Sequence, residues 1–311
     1  MNLRYVLSRL LGGLLTLLLI VTLTFFALRL SGDPIQVLLP DTTPQEVVEL
    51  YRERWGLDQP LAVQYVKYVV GIFHGDFGLA FSDGRSALQV VLERVPATAM
   101  LALAAIAIGV ICGIGGGIVA ALNRNSAIDR AVIAFAVFGY AVPNFFFGIL
   151  LILLFTVKLG WLPSSGSGTI WHLIMPALTL GLWASTPLAR ITRASVLETL
   201  GQPYMVTVRA KGLPYYYGVF RHALPNAAIP IITILGLNFG TLIGGAVITE
   251  TVFAWPGIGR LTVSAVANRE LAIVQVIVLF VATIMVSINL VVDLLYTWID
   301  PRISVVSGRQ K

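Results

Sequence analysis

The chain has 311 residues, of which 57% are hydrophobic types and 12% are charged, with a formal net charge of +6. A soluble domain carries about 25% charged residues, so too few polar side chains are present to solvate a surface of this size. That excludes a soluble enzyme and a disordered chain, and the single cysteine, Cys112, excludes a disulfide framework.

Cys112 sits in an apolar run and reads as a small core residue. In a membrane protein, a basic excess marks cytoplasmic loops rather than a nucleic-acid partner. A helix needs ~20 apolar residues to cross the hydrocarbon. Six stretches qualify, at 10–30, 97–122, 131–157, 173–191, 227–249 and 271–296. The first follows Arg4 and Arg9. Its apolar core is too long for a secretory signal, and no small-x-small site follows it, so it reads as an uncleaved anchor.

The loops then alternate between two sides. Segments 1–9, 123–130, 192–226 and 297–311, with the helix ends beside them, carry 12 of the 21 basic residues and only Asp129, Glu198, Asp293 and Asp300 as acids. This side is cytoplasmic by the positive-inside rule, so both termini are expected inside. No charge falls in the middle of a span, where each would cost ~2.5–3.5 kcal/mol. Proton pumps and many ion-coupled carriers need ionisable groups at that depth. A transport function would therefore draw its energy from elsewhere.

The external segment 31–96 should form a small cap of helices. Thr43-Pro44-Gln45-Glu46 has the pattern of a capping box with proline at the first helical position, which predicts a helix over 44–55 that stops before Gly56. Pro60 opens a second helix with apolar positions 62, 66, 69, 70 and 73. The amphipathic stretch 86–95 is expected to lie along the membrane interface. His74, His172 and His222 stand alone in loops and read as surface residues rather than metal ligands.

Glycine recurs every fourth residue in two spans, as Gly109, Gly113 and Gly117 and as Gly236, Gly240 and Gly244. This puts a smooth strip on one helix face, where a second backbone can approach closely. The strip serves helix packing, or lets helices slide during gating. The GIGGG run at 113–117 lacks a following Lys-Ser or Lys-Thr and lies inside a span, so it is no phosphate loop. Pro143 interrupts the third span, Pro176 begins the fourth, and Pro225 and Pro230 open the fifth. Each frees a carbonyl and permits a kink.

The segment 192–226 carries Arg193, Arg209, Lys211 and Arg221 against Glu198 alone. Gln202-Pro203 opens a helical run, YMVTVRAKG, that stops at Gly212, with Leu213-Pro214 after it. A short basic helix anchored to spans at both sides can dock in a groove on a soluble partner. It can equally be a basic loop that only sets topology.

Here the sequence resembles a family. Gly212, followed after nine residues by His222-Ala223-Leu224-Pro225, matches the spacing of the "EAA" loop of ABC importer permeases. The resemblance to the peptide/nickel class runs along nearly the whole chain. It includes Gly32-Asp33-Pro34, Gly56-Leu57-Asp58-Gln59-Pro60, Gly75-Asp76-Phe77-Gly78, Pro143-Asn144-Phe145, Phe253-Ala254-Trp255-Pro256-Gly257-Ile258-Gly259-Arg260 and Asp300-Pro301-Arg302. The departure is in the name-giving triplet, where Val206-Thr207-Val208 stand in place of Glu-Ala-Ala.

The resemblance implies an all-α polytopic membrane protein with six transmembrane helices and a type I ABC importer permease-like fold. Its parts would be a first helix with its cytoplasmic end (1–30), an extracytoplasmic helical segment (31–96), a five-helix core holding the coupling loop (97–296), and a cytoplasmic tail (297–311). It implies an inner-membrane permease with both termini cytoplasmic, forming half of a translocation pathway for di- or oligopeptides. Nickel or a metal chelate, glutathione or another small solute is the alternative. The implied partners are a homologous second permease in a heterodimer, two cytoplasmic ATPases and an extracytoplasmic binding protein. No cofactor is expected on this chain, since ATP and Mg would sit on the ATPases, and neither a catalytic nor a metal residue is expected. Tyr204, Val208, Arg209, Ala210, Lys211, Gly212, Leu213 and Pro214 are the implied coupling residues. A self-contained carrier or channel would need the ionisable groups this chain lacks. An intramembrane enzyme would need paired acids, a Ser-His pair or a metal cluster at membrane depth.

Overall fold

The computed structural model describes residues 3–299 except 31, 33, 34, 36–38 and 41, and describes side-chain surroundings for all of these but 3–5, 239, 241, 243–245 and 293–299. The Asp33-Pro34 and Asp300-Pro301-Arg302 motifs and the tail from 300 onward lie outside the described residues. The described residues divide into two compact units, one of 3–98 with 256–287 and one of 99–255 with 288–299.

In the first unit, α1 spans Leu3–Leu30, α2 Gln45–Arg54, α3 Leu61–His74, α4 Ala87–Leu92 and α13 Ile258–Ala267, and the unit also holds the first residues of α5 (Val95–Gly109) and α14 (Leu271–Ile299). Pro44 and Pro60 sit immediately before α2 and α3, where a missing N–H costs nothing. The capping box at Thr43 does not form. The Thr43 hydroxyl donates backward to the Pro40 carbonyl at 2.7 Å, and no side chain caps α2. Gly56 and Gly75 follow the two helices with φ of +63° and +75°, the left-handed conformation that stops a helix at glycine.

This unit is filled by side chains. Phe25 is 1% exposed and stacks 5.7 Å from Tyr68, with Phe26 and Tyr65 edge-on at 5.4 Å. A second cluster joins Ala80, Ala87, Val90 and Val91 to Ile258, Ala265, Ala272, Ile273, Val274, Val276 and Ile277. The hairpin turn Leu79–Ser86 is held from one side: the Glu270 carboxylate accepts the backbone N–H groups of Phe81 and Ser82 at 2.7 and 2.8 Å.

In the second unit, α5 continues through a π-helical stretch, Val110–Gly115, into α6, Gly116–Leu122. Next come α7 (Ala127–Ala141), α8 (Asn144–Leu151) with a π-helical extension to Lys158, α9 (Ile170–Leu200), α10 (Pro203–Ala210), α11 (Tyr215–Gly218), and α12 (Leu224–Val252) after a π-helical Val219–Ala223. Pro143 breaks the third expected span. It forces Val142 into an extended conformation (φ −86°, ψ 123°), and α7 and α8 meet at 103°.

Among the described residues, four helical stretches are long and apolar enough to cross a membrane: Val6–Leu30, Ala87–Leu122, Tyr215–Asn238 and Leu271–Val292. The bent pair α7–α8 makes five. Two expectations shift. The stretch 86–95 does form a separate short helix, α4, but its apolar residues Ala87, Val90 and Val91 are buried in the second cluster of the first unit. The expected span 173–191 lies in α9, which is not among the helices apolar enough to cross by that measure. The reason is packing. In α9, 15 of 31 residues are buried, and α12, the 110–115 stretch, α6 and α7 all pack on it. A helix covered by other helices is built from Ala, Ser, Thr, Gly and Pro rather than from lipid-facing Leu and Ile. Its internal prolines, Pro176 and Pro187, sit among hydroxyls that bond to backbone carbonyls: Thr179 to Met175 at 2.8 Å and Ser185 to Leu182 at 2.6 Å.

Candidate functional site

The first candidate element is the glycine strip of α5 and α6. A Cβ at Gly113 would stand 2.7 Å from Leu188 Cβ and 2.8 Å from the Ser185 carbonyl oxygen. At Gly117 it would stand 2.7 Å from the Ala189 carbonyl oxygen and from Thr192 Cβ, and at Gly109 3.6 Å from Ala184 Cβ. All three therefore face α9. The contact is reciprocal, because a Cβ at Gly181 of α9 would meet Ile108 Cβ at 2.6 Å. Cys112 points the other way and is exposed, not part of the core. The π-helical stretch turns Gly113 onto α9 and leaves its neighbour outside. On α12, Gly236 faces Val292, whose side chain occupies the place a Cβ would take. Gly240 is half-buried in the same helix. Gly244 lies outside the residues whose surroundings are described.

The second element is an elbow made of α10, the 211–214 turn and α11. Pro203 is the first residue of α10, and Met205 N–H donates to the Gln202 carbonyl at 3.0 Å. At the other end, Gly212 has φ +71°. Gly212 N–H donates to the Arg209 carbonyl at 2.9 Å, and Leu213 N–H reaches the Val208 carbonyl at 3.4 Å. These bonds form a Schellman motif, which needs the left-handed conformation at this glycine. Pro214 follows and cannot continue the helix.

The eight residues named from the sequence separate into two groups here. Val208 is buried and Tyr204 half-buried, so both anchor α10. A Cβ at Gly218 would meet Met205 Cε at 2.8 Å and Val208 Cγ1 at 3.2 Å, so α10 rests on α11 through a missing side chain. The Tyr204 ring lies 6.5 Å from that of His222, and burial pushes its phenol above the usual range. Arg209, Ala210, Lys211, Gly212, Leu213 and Pro214 are exposed. The same exposed side carries residues that the reading of the segment did not single out: Val206 at 68%, Tyr216 at 66% and Phe220 at 66% exposure. The Arg209 guanidinium lies 5.6 Å from the Tyr215 ring centre, a cation–π contact that fixes the head of the turn. The signal for the missed residues was present, since apolar side chains in a basic solvent-side segment have no core to serve.

Behind the elbow, Asp129 and Arg193 tie α7 to α9. Arg193 donates from Nε and Nη2 to the two carboxylate oxygens at 2.6 and 2.7 Å, and Asn125 N–H adds a third bond at 2.9 Å. Such a paired fork is the strongest ion-pair geometry available to a carboxylate. The histidines do not converge. His74 bonds to the Val70 carbonyl, His172 to the Thr169 hydroxyl, and His222 packs on Tyr204 and Tyr217. Among the described residues, no three His, Cys, Asp or Glu side chains come together as metal ligands would.

Apolar helices packed backbone to backbone, with an exposed basic elbow, are the build of a multi-helix membrane protein. Comparison with known proteins agrees. The profile of the "Binding-protein-dependent transport system inner membrane component" family matches residues 113–305, and that of its N-terminal counterpart matches 2–102. The chain is 42% identical to the glutathione transport system permease protein GsiC of Escherichia coli (strain K12) over 302 residues, 97% of this chain and 99% of that one. The protein of the same name in Salmonella paratyphi A is 41% identical over the same shares. A chain of the MetNI methionine ABC transporter, crystallised in inward-facing conformations, matches in fold with a TM-score of 0.58 and 18% identity, over 68% of this chain and 97% of that one. This chain belongs to the binding-protein-dependent transport system inner membrane component family, as an ABC-importer permease of the peptide/nickel type.

Proposed function

We propose that this permease forms half of the translocation pathway for a small peptide-like solute, with glutathione as the first candidate. The observation that carries this reading is the 42% identity to a glutathione permease over 97% of the chain. Dipeptides and longer oligopeptides are the other members of that class, and nickel or a metal chelate is the alternative outside it. In this reading the fold has six spans: the four long helices, the bent pair α7–α8 as a fifth, and α9 as a sixth whose neighbours are protein rather than lipid. Both termini face the cytoplasm. A homologous second permease supplies the other half of the pathway, an extracytoplasmic binding protein delivers the solute, and two ATPases carry the ATP and Mg.

The elbow couples this chain to an ATPase. Its inner face, Tyr204, Met205 and Val208, holds α10 against α11, while Val206, Arg209 and the 210–214 turn are open to a partner surface. The glycine strips let the helices behind it move as backbone-packed units. Nucleotide binding then acts on α10 as a lever, and this chain performs no bond-making itself.

Two measurements test this. Calorimetric titration of the cognate binding protein with glutathione, a dipeptide and Ni²⁺ should give saturable binding for glutathione. Binding of Ni²⁺ or the dipeptide alone would replace the solute reading. For the elbow, Gly212→Val places a β-branched residue at φ +71°, where the left-handed conformation costs about 1–2 kcal/mol. No atom lies within 4 Å of a Cβ there, so the change strains the turn without a clash. The assembled variant should hydrolyse ATP while uptake into vesicles falls several-fold. Unchanged uptake would remove the coupling role.

A further inference from the structure

A groove of about 820 Å³ runs beside the Asp129–Arg193 pair, lined by Asn125, Arg130, Ile133, Val137, Phe138 and Arg190. Its two ends differ in chemistry. At one end Arg130, in the first turn of α7, and Arg190, on α9, are both exposed. Arg130 gives one N–H to the Asn125 carbonyl at 3.1 Å, and a guanidinium has five. The one acid of the groove offsets only part of this charge: Asp129 feels Arg130 through space, but its oxygens are bonded to Arg193 and the Asn125 N–H, and three arginines stand against it. Along the groove, α7 presents Val137 at 49% and Phe138 at 58% exposure, on a helix apolar enough to be half of a span.

We propose that this groove binds one anionic phospholipid, with its phosphate between Arg130 and Arg190 and an acyl chain along Ile133, Val137 and Phe138. A cationic end continuous with an apolar wall, at the terminus of a membrane helix, fits an amphiphile with a charged head. Basic pockets between transmembrane helices select anionic headgroups in this way. A free phosphate would leave the apolar wall uncovered, and a second polypeptide would have to bring its own acid to the two arginines. The bound lipid spans α7 and α9 beside the Asp129–Arg193 fork and supports the same junction from outside.

The test uses the full chain with the assembly it purifies with, returned to bilayers of phosphatidylcholine with a minor fraction of phosphatidylglycerol, and native mass spectrometry of the lipid retained. Wild type should retain phosphatidylglycerol above its share of the bilayer. Each of Arg130→Gln and Arg190→Gln should lower that enrichment about fivefold, the worth of one arginine near an anionic headgroup, and the double variant about 25-fold. Lys158→Gln, at the far end of the bent pair, should leave it unchanged. Equal loss in Lys158→Gln, or enrichment that persists in the double variant, overturns the proposal. A photoreactive group at Val137 gives a second reading in an unperturbed pocket: capture of phospholipid supports the site, and capture of a polypeptide overturns it.

Discussion

In the unit that holds 99–255, helices meet closely where a side chain is missing: Gly113 lies against the Ser185–Leu188 turn of α9 at a distance that leaves no room for a methyl group. In the other unit the centre is occupied by large rings, with Phe25 enclosed by Phe26, Tyr65 and Tyr68. Inside a bilayer, lipid tails are as apolar as leucine, so burying apolar area does little to join helices, and close backbone approach takes its place. The cap reached by Tyr65 and Tyr68 is made of shorter helices and turns, and it packs as water-facing domains do. The difference predicts opposite sensitivities: one unit fails when volume is added, the other when volume is removed.

The largest effect should come from adding volume to the seam. Gly113→Leu forces α5–α6 off α9 and should cost about 4 kcal/mol, above the ordinary range for overpacking, because the Ser185 carbonyl in its way is backbone and cannot turn aside. It would be read as loss of monodisperse protein after detergent extraction, and normal yield and melting would show that the seam yields. Removing volume comes next. Phe25→Ala should cost about 3 kcal/mol, the low end for emptying a buried aromatic site, because the residue belongs to a helix that is in lipid on either side of the transition. The seam should be untouched, so thermal unfolding followed by a probe near the cap should shift more than one near α9. Equal shifts would dissolve the contrast. The smallest effect is a pH dependence confined to the ring cluster. Burial pushes the Tyr68 phenol from 10.0 to about 12. Since the unfolded chain releases this proton first, the stability it contributes is fully present below pH 10 and is lost as pH rises toward 12. Tyr68→Phe should flatten that part of the profile relative to wild type, and parallel profiles would deny the burial.

Much of this could be read from residue spacing. The Pro44 and Pro60 helix starts, the stop at Gly212 and the break at Pro143 each follow from a backbone constraint carried by one residue. The strip at Gly109, Gly113 and Gly117 was visible as a pattern, though nothing in the pattern named α9 as its partner. Three features were hidden because they depend on neighbours. Thr43 has a capping hydroxyl but bonds backward to Pro40, and local sequence does not choose between the two acceptors. The hydropathy of α9 does not reveal that its covering is protein. Tyr204 and Val208 are implied coupling residues, yet Val208 packs on Gly218 and Tyr204 is half-buried beside His222, and an eight-residue helix shows barely two turns of periodicity from which to tell its inner face.

The π-helical stretch Val110–Gly115 has a consequence for the phase of the seam. Four residues of an α-helix sweep about 400°, so each four-residue step walks about 40° around the cylinder. From Gly109 to Gly117 the walk would carry the third glycine about 80° away from the first. A wider turn rotates less per residue and cancels part of that walk. A helical wheel drawn at the ordinary pitch would slant these glycines across about 80° of the cylinder; local under-winding straightens the strip, so the four-residue spacing and the slackened turn are two halves of a single device.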